Sequence, residues 1–177
     1  MSKRLIIVTN SSSNLLSFRG KLIEKLVNEK FQVLVIIPKK DFSIDFENRV
    51  LALGAKTLSI PLDRAGMNPF KDILTYLSLK STFKKFKPDI VLSYTSKPII
   101  YSGLAIGKDS KIKFFPTLTG LGYGFTEEFQ FKRKLINYIL KNLYKISLKY
   151  SSTIIFQNPD DELLFRNLNI IKDRKTF

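Results

Sequence analysis

Short apolar runs alternate with longer amphipathic segments along the chain, and this alternation restricts the fold more than any other feature. Six runs have the composition of parallel strands covered on both faces: Arg4–Thr9, Gln32–Ile37, Lys56–Ile60, Asp89–Ser93, Ile112–Thr117 and Thr153–Gln157. Apolar residues recur at helical spacing in six other segments: Asn14–Lys30, Phe42–Leu53, Pro69–Phe86, Pro98–Ile106, Phe131–Tyr150 and Asp160–Leu168. Six βα units predict an α/β fold, a doubly wound, Rossmann-like parallel sheet of about six strands with helices on both faces.

Two segment boundaries carry capping chemistry. Asn158 and Pro159 form the pattern of an N-cap followed by proline at the first helical position. Asp160 and Asp161 then fall in the first turn, where negative charge complements the helix dipole, so we interpret the pair as structural rather than as a metal site. Ser11–Ser13 precede the first helical segment and are predicted to cap it, with a position facing the cleft as the alternative.

Composition bounds the size and the chemistry of the molecule. The 177 residues, 44% of them hydrophobic, suffice for one sizeable core, and we expect residues 1–177 to form a single domain. The absence of cysteine and histidine excludes disulfides, cysteine nucleophiles and Ser-His-Asp triads. We expect no metal and no cofactor. The apolar run that ends at Val8 is too short for a signal peptide or a membrane span, which favours a cytoplasmic location.

A glycine-rich loop follows the fifth apolar run. Residues 117–124, Thr-Leu-Thr-Gly-Leu-Gly-Tyr-Gly, contain three glycines and two threonine hydroxyls. Glycine lets backbone N–H groups approach a ligand, and open α/β sheets bind ligands at the carboxyl ends of their strands, so the loop is a candidate binding site. A tight connection without a ligand is the alternative. The first strand-to-helix turn, Thr9–Leu15, has no glycine, which argues against NAD or FAD.

Four segments occur in an order that matches one enzyme family. They are Ser17–Arg19, Asp63–Phe70 after the third strand, Ser96–Gly103 after the fourth, and Thr117–Phe125 after the fifth. With them the chain resembles, from Arg4 to about Ile170, the N-terminal half of a family four, GT-B fold glycosyltransferase. That group includes bacterial transferases acting on undecaprenyl-linked carriers in capsule, O-antigen and N-glycan assembly.

The resemblance implies a two-domain enzyme in which the N-terminal domain binds the acceptor and a C-terminal domain binds a nucleotide sugar, expected to be UDP-linked. The donor-binding segment of the family would lie beyond Phe177. Alone, the chain is therefore expected to be incomplete and inactive, as a fragment, a truncated frame or one subunit of a split transferase. Family members are retaining and metal-independent, with basic side chains and helix dipoles stabilising the departing diphosphate.

The resemblance also implies which residues contact the acceptor. Thr119 stands where some relatives place a histidine or an acid; its hydroxyl can hydrogen-bond a sugar but cannot serve as a base at neutral pH, so no catalytic base is assigned. Each basic candidate could instead be a solvated surface charge. The predicted acceptor-binding residues are Thr117, Thr119, Gly120, Gly122, Tyr123, Lys97, Arg64 and Arg19.

Positive charge is concentrated on one helical segment. Thirty Lys and Arg against fifteen Asp and Glu give a net charge of +15, which favours a polyanion, an anionic membrane or a phosphorylated substrate as partner. Phe131–Tyr150 has six basic residues and no acid. The predicted membrane-facing side consists of Lys134, Lys141, Lys145 and Lys149. The opposite stripe, predicted to pack on the sheet, consists of Leu135, Ile139, Leu143 and Ile146.

The resemblance implies sugar transfer to a lipid-linked saccharide in cell-surface polysaccharide biosynthesis, and the basic helical segment favours a protein peripheral to the inner membrane. A noncatalytic membrane-docking subunit of a split transferase is one alternative. Nucleic-acid binding is another, on charge alone, but the sequence lacks helix-turn-helix, RRM, KH and zinc signatures, and no nucleic-acid partner is expected. Binding to vesicles or to arbitrary DNA separates these possibilities.

Overall fold

The computed structural model describes residues 2–64, 68–108, 111–120 and 131–177. Within these ranges lie six strands, β1 (Arg4–Val8), β2 (Gln32–Pro38), β3 (Lys56–Ile60), β4 (Ile90–Tyr94), β5 (Lys113–Leu118) and β6 (Ile155–Phe156). The same ranges hold the helices α1 (Leu15–Asn28), α2 (Ile44–Ala52), α3 (Pro69–Phe86), α4 (Ser96–Ile106), α5 (Phe131–Leu148) and α6 (Pro159–Asn167), with a 3₁₀ turn at Lys39–Asp41. Every predicted segment is present, with ends shifted by a few residues.

The six strands form one parallel sheet in the order β3-β2-β1-β4-β5-β6. The chain starts in the centre, runs to one edge, crosses back over β1 and continues to the other edge, which confirms the predicted Rossmann-like α/β fold. The winding direction reverses between β1 and β4. That switch point is where open α/β sheets form their ligand crevice.

Side chains of β1 alternate between two hydrophobic cores. Leu5 and Ile7 pack with residues of α1 and α2, whereas Ile6 and Val8 pack with residues of α3 and α4, as the two-residue period of a strand requires. A third core joins α4, α5 and α6. The helices therefore form two layers, α1 and α2 on one face of the sheet and α3 to α5 on the other.

Asparagine caps fix the starts of two helices. Asn68 accepts a hydrogen bond from the backbone N–H of Phe70 at 3.0 Å, and Pro69 occupies the first position of α3. Asn158 likewise accepts from the N–H of Asp160 at 2.9 Å and starts α6. The predicted capping pattern at Asn158 is confirmed, and such a cap typically contributes about 1 kcal/mol.

The predicted cap of the first helix is wrong. Asn14, rather than one of Ser11–Ser13, occupies the N-cap position of α1, and its side chain makes no capping hydrogen bond. Ser12 instead binds Asp41 in the turn after β2: its N–H donates to Asp41 Oδ2 at 3.1 Å and its hydroxyl donates to the Asp41 carbonyl at 3.0 Å. The loops after β1 and β2 are thereby tied together.

The prediction for the apolar stripe of α5 is wrong for three of its four residues, and only Leu143 is partly buried, against the third core. Leu135 is 61% exposed, and Ile139 and Ile146 are 47% and 49% exposed. The buried face of α5 is instead made by Tyr144, Ser147 and Leu148. Tyr144 packs edge-on against Phe165, with 5.1 Å between ring centroids, and this aromatic contact selects the face that turns inward.

Candidate functional site

The glycine-rich loop starts where β5 ends. Thr117 lies inside the strand and is buried, so its placement in the loop is corrected, whereas Thr119 and Gly120 follow the strand and are exposed. Gly120 has a φ of +125°, a conformation that favours glycine. Gly122 and Tyr123 lie outside the described residues.

Arg19 meets β4 at the switch point. Its guanidinium carbon lies 4.5 Å from the centroid of the Tyr94 ring, a cation–π contact, and Nη1 donates to the carbonyl of Phe18 at 3.1 Å. Burial raises the pKa of Tyr94, and the charge of Arg19 opposes that rise. The position of Arg19 in the sequence indicates a site residue, but nothing near it in the sequence indicates this aromatic partner.

The residue after β4 has an unusual backbone. Thr95 has a φ of +72°, which is rare for a β-branched residue and costs on the order of 1–3 kcal/mol. Its hydroxyl is buried and has no hydrogen-bond partner among the described residues. Its N–H donates to the carbonyl of Thr117 at 3.4 Å, and α4 begins at the next residue. The strain therefore lies at the carboxyl end of the sheet, one residue before a helix N-terminus.

Lys97 is not a free cation. Its Nζ lies 2.6 Å from Oδ1 of Asp72 on α3, and both side chains are largely buried, with 16% and 17% of their surface exposed. The hydroxyl of Tyr101 also hydrogen-bonds Asp72. Burial, followed by the charge of Asp72, raises the pKa of Tyr101. Lys97, Asp72 and Tyr101 thus form one polar group between α3 and α4.

An apolar groove opens beside that polar group. Its volume is about 670 Å³, α3 and α5 form its walls, and α4 forms its floor. Its lining includes Ile73, Tyr76, Ile100, Leu104, Ile136 and Ile139. The groove could not be predicted from the sequence, because apolar residues at helical spacing look the same in a groove wall and in a core.

A smaller cavity of about 460 Å³ lies near the ends of β2 and β3. Lys39, Lys40 and Lys71 line it, and Lys71 pairs with Asp63 at 3.0 Å. The hydrogen bond from Lys71 lowers the pKa of Asp63. Arg64 is exposed and directly follows Asp63. Lys39 and Lys40 were not among the predicted site residues, although their position directly after a strand indicates the carboxyl edge of the sheet.

The carboxyl edge of the sheet therefore carries most of the predicted residues without gathering them at one point. Arg19 extends from α1 to Tyr94 of β4, Lys97 lies between α3 and α4, and Arg64 adjoins the cavity near β3. Among the described residues, no three Asp or Glu side chains are grouped so that they could hold a metal ion. Lys141 and Lys145 lie on α5 and Lys149 lies in the turn directly after it, whereas the side chain of Lys134 falls outside the described residues.

The model of a known protein family matches residues 6–158, and its description is "Glycosyl transferase 4-like". The chain belongs to this family. A relative from Campylobacter jejuni, N,N'-diacetylbacillosaminyl-diphospho-undecaprenol alpha-1,3-N-acetylgalactosaminyltransferase, is 26% identical over 172 residues, which are 97% of this chain and 44% of the relative. This glycosyl transferase 4-like chain thus spans less than half the length of the curated relative that it matches.

Solved structures agree on the fold of the glycosyl transferase 4-like chain. Sucrose-phosphate synthase from Thermosynechococcus elongatus superposes with a TM-score of 0.68 at 12% identity, over 99% of this chain and 47% of that one. A glycosyltransferase from Rickettsia africae gives 0.64 at 18% identity, over 99% and 42%. MurG from Acinetobacter baumannii gives 0.54 at 15% identity, over 87% and 41%. The predicted resemblance to an N-terminal half of a GT-B glycosyltransferase is confirmed.

None of the helices in the described part of the chain combines the length and the apolar character needed to cross a bilayer.

Proposed function

We propose that this chain is the acceptor-binding part of a glycosyltransferase that transfers a sugar from a nucleotide sugar to a lipid-linked saccharide. The observation that carries the proposal is the family match over residues 6–158, which spans the sheet from β1 to β6. The Campylobacter relative, by its name, adds N-acetylgalactosamine to a saccharide on diphospho-undecaprenol. We therefore propose a prenyl diphosphate-linked saccharide as the class of acceptor.

The acceptor sugar would lie over the carboxyl edge, between the loops after β1, β4 and β5. Thr119 and Gly120 are exposed there and can offer a hydroxyl and backbone groups to the sugar. Arg19, and Arg64 near the cavity after β3, are the candidates for diphosphate contacts, since guanidinium groups pair well with phosphate. Lys97 is a weaker candidate than its sequence position indicates, because Asp72 already neutralises it.

The chemistry that we propose is retaining transfer without a metal. In such transfer, positive groups stabilise the departing nucleotide diphosphate and the acceptor hydroxyl attacks from the same face, so no enzymatic base is required. That fits a chain without histidine. The nucleotide sugar would bind to a donor domain or a partner chain, and we assign no residue of this chain to the donor site.

Acceptor binding can be tested on the 177-residue chain. Titration with a detergent-solubilised undecaprenyl diphosphate disaccharide should show tighter binding than titration with undecaprenyl diphosphate alone. Thr119→Val should abolish that difference, because it removes the hydroxyl but keeps the side-chain shape. Thr153→Val is the matched control, because Thr153 lies just before β6, at the amino ends of the strands. This variant should keep the difference in affinity. Equal affinity for both lipids in the wild type would refute the proposal.

Transfer itself can be tested in a chimera that joins residues 1–177 to the remaining part of the Campylobacter relative. The chimera should elongate a lipid-linked saccharide when given a UDP-sugar, with or without a chelator. Transfer that stops on removal of divalent metal would contradict the metal-independent mechanism.

We also propose that the chain docks on an anionic membrane. The support is the run of Lys141 and Lys145 on α5 and Lys149 directly after it, together with exposed Leu135 on α5 and Phe70 on α3. A lysine close to an anionic surface contributes about 1 kcal/mol. Changing the three lysines to glutamine should release the chain from vesicles containing phosphatidylglycerol. Binding of the wild type should weaken with added salt and be absent with neutral vesicles; binding unaffected by charge would exclude this docking mode.

A further inference from the structure

The groove between α3, α4 and α5 has features of a hydrocarbon-binding site. Isoleucine and leucine side chains from all three helices make up most of its lining: Ile73, Ile100, Leu104, Ile136, Ile139, Leu140 and Leu143. A pocket of about 670 Å³ falls within the range in which proteins enclose small ligands. An open apolar groove of this size favours a ligand that removes its surface from water.

The polar side chains that line the groove already have partners in the protein. Asp72 accepts from both Lys97 and Tyr101, and the hydroxyl of Tyr76 lies 3.2 Å from Nζ of Lys80. A ligand therefore gains little by offering polar groups to these walls, and a polar ligand would lose hydration without compensation. The groove selects for an aliphatic chain.

The position of the groove indicates which kind of chain. Lys97 is the second residue of α4, so the polar end of the groove lies at the carboxyl edge of the sheet, next to the strand ends where we place the acceptor. The carboxyl edge is basic there: Lys39 and Lys40 directly follow β2, and Lys71 lies in the first turn of α3. An anionic headgroup at that edge with its hydrocarbon tail in the groove satisfies both the charge and the apolar surface.

We propose that this groove binds the first isoprene units of a prenyl diphosphate, holding the lipid chain of the acceptor against the protein while the diphosphate stays at the carboxyl edge. The choice of a prenyl lipid rests on the proposed function, whereas the fit of a hydrocarbon chain to the groove rests on the groove alone.

Two pairs of variants test the groove. Ile139 lines it and is 47% exposed, whereas Ile146 on the same helix is 49% exposed and does not line it. On α3, Ile73 lines the groove at 54% exposure and Leu77 at 50% does not. A change to aspartate at these exposed positions disturbs folding little and places a charge either inside or outside the groove.

The probe is fluorescent farnesyl diphosphate below its micelle concentration, followed by anisotropy, with inorganic diphosphate as the chain-free ligand. Ile139→Asp and Ile73→Asp should each weaken binding of the prenyl probe at least tenfold, whereas Ile146→Asp and Leu77→Asp should stay within twofold of wild type. Binding of inorganic diphosphate should not change in any of them. No binding of the prenyl probe by the wild type, or an equal loss in all four variants, would overturn the proposal. So would light scattering that reports a dimer dissociated by Ile139→Asp, since a second copy would then be the occupant.

The same variants separate this inference from the proposed function. If the prenyl probe binds in the groove but a lipid-linked saccharide binds no better than its sugar-free lipid, the groove stands and the acceptor role fails. If the saccharide lipid binds in a Thr119-dependent way that Ile139→Asp leaves unchanged, the acceptor role stands and the groove proposal fails.

Discussion

Replacing Gly103 by alanine should destabilise the protein, although alanine is the better helix former. Gly103 lies in α4 where that helix passes closest to α5. A Cβ added there would lie 2.8 Å from the carbonyl carbon and from Cβ of Ser147, and closer still to the carbonyl oxygen. Since ordinary contacts begin at 3.4 Å and a carbonyl group of the backbone cannot rotate away, the two helices would have to move apart, which weakens the dispersion contacts along the seam.

The expected magnitude is the difference of two effects. Alanine gains about 1 kcal/mol over glycine in a helix interior, and forcing an extra carbon into a packed interior costs up to about 3 kcal/mol. Because the clash at Gly103 is with backbone, we take the upper end and expect a net loss of about 2 kcal/mol. For a chain of this length that lowers Tm by about 4–8 °C.

Gly20 provides the matched control. It lies within α1, and a Cβ added there would meet nothing within 4 Å, so Gly20→Ala should stabilise the protein by about 1 kcal/mol. Urea unfolding followed by circular dichroism measures both variants, since the chain has no tryptophan, and the m-value should not change. A Gly103→Ala protein as stable as Gly20→Ala would refute the close-packing argument.

The other predictions concern charged groups. Asp72→Asn should lower the free energy of unfolding by about 3 kcal/mol, because it leaves Lys97 unpaired at 16% exposure; a loss below 1 kcal/mol in urea unfolding would mean that solvent already screens the pair. Asp161→Asn should stabilise the protein at pH 7, because burial and then the charge of the preceding acid raise the pKa of Asp161, and the gain should vanish as the pH falls below the ordinary value of 3.8. Glu162→Gln should do the reverse, since hydrogen bonds from a threonine and an arginine lower the pKa of Glu162. The stability that this variant loses at neutral pH should shrink below pH 4.5. Stability changes of the same sign in the Asp161 and Glu162 variants at pH 7 would contradict both predictions. Arg19→Ala should cost about 0.5–1 kcal/mol of stability through its cation–π contact, measured by the same unfolding assay, and Arg49→Ala, an exposed arginine on α2, should cost less.

The element order was predictable because each element has its own local signal. The bounds of α3 match the predicted segment, since Asn68 and Pro69 start it and Lys87 leaves the helical region directly before a proline. By contrast, β6 is confined to Ile155–Phe156, shorter than its apolar run. Apolar residues alone do not set how much of an edge strand is paired.

The site was predictable only in part. The common position of the candidate loops at the carboxyl ends of the strands could be inferred from the sequence, because it follows from the parallel topology. The partner of Lys97 could not, because Asp72 lies 25 residues earlier on another helix. The orientation of α5 was missed for a related reason: the helix has two apolar faces, and only its contacts with α4 and α6, through Ser147 and Tyr144, decide which one is buried.

The position of β1 in the sheet has a consequence for folding kinetics. Within the sheet, the two halves, β1 to β3 and β4 to β6, meet at the pairing of β1 with β4. Beside that pairing, the N–H of Arg4 donates to the carboxylate of Asp89 across a sequence separation of 85 residues. Closing such a long loop is entropically costly, and distant pairings of this kind slow folding. The crevice at the switch point therefore takes shape only when the halves dock, so the residues proposed to hold the acceptor acquire their geometry late, after most local structure has formed.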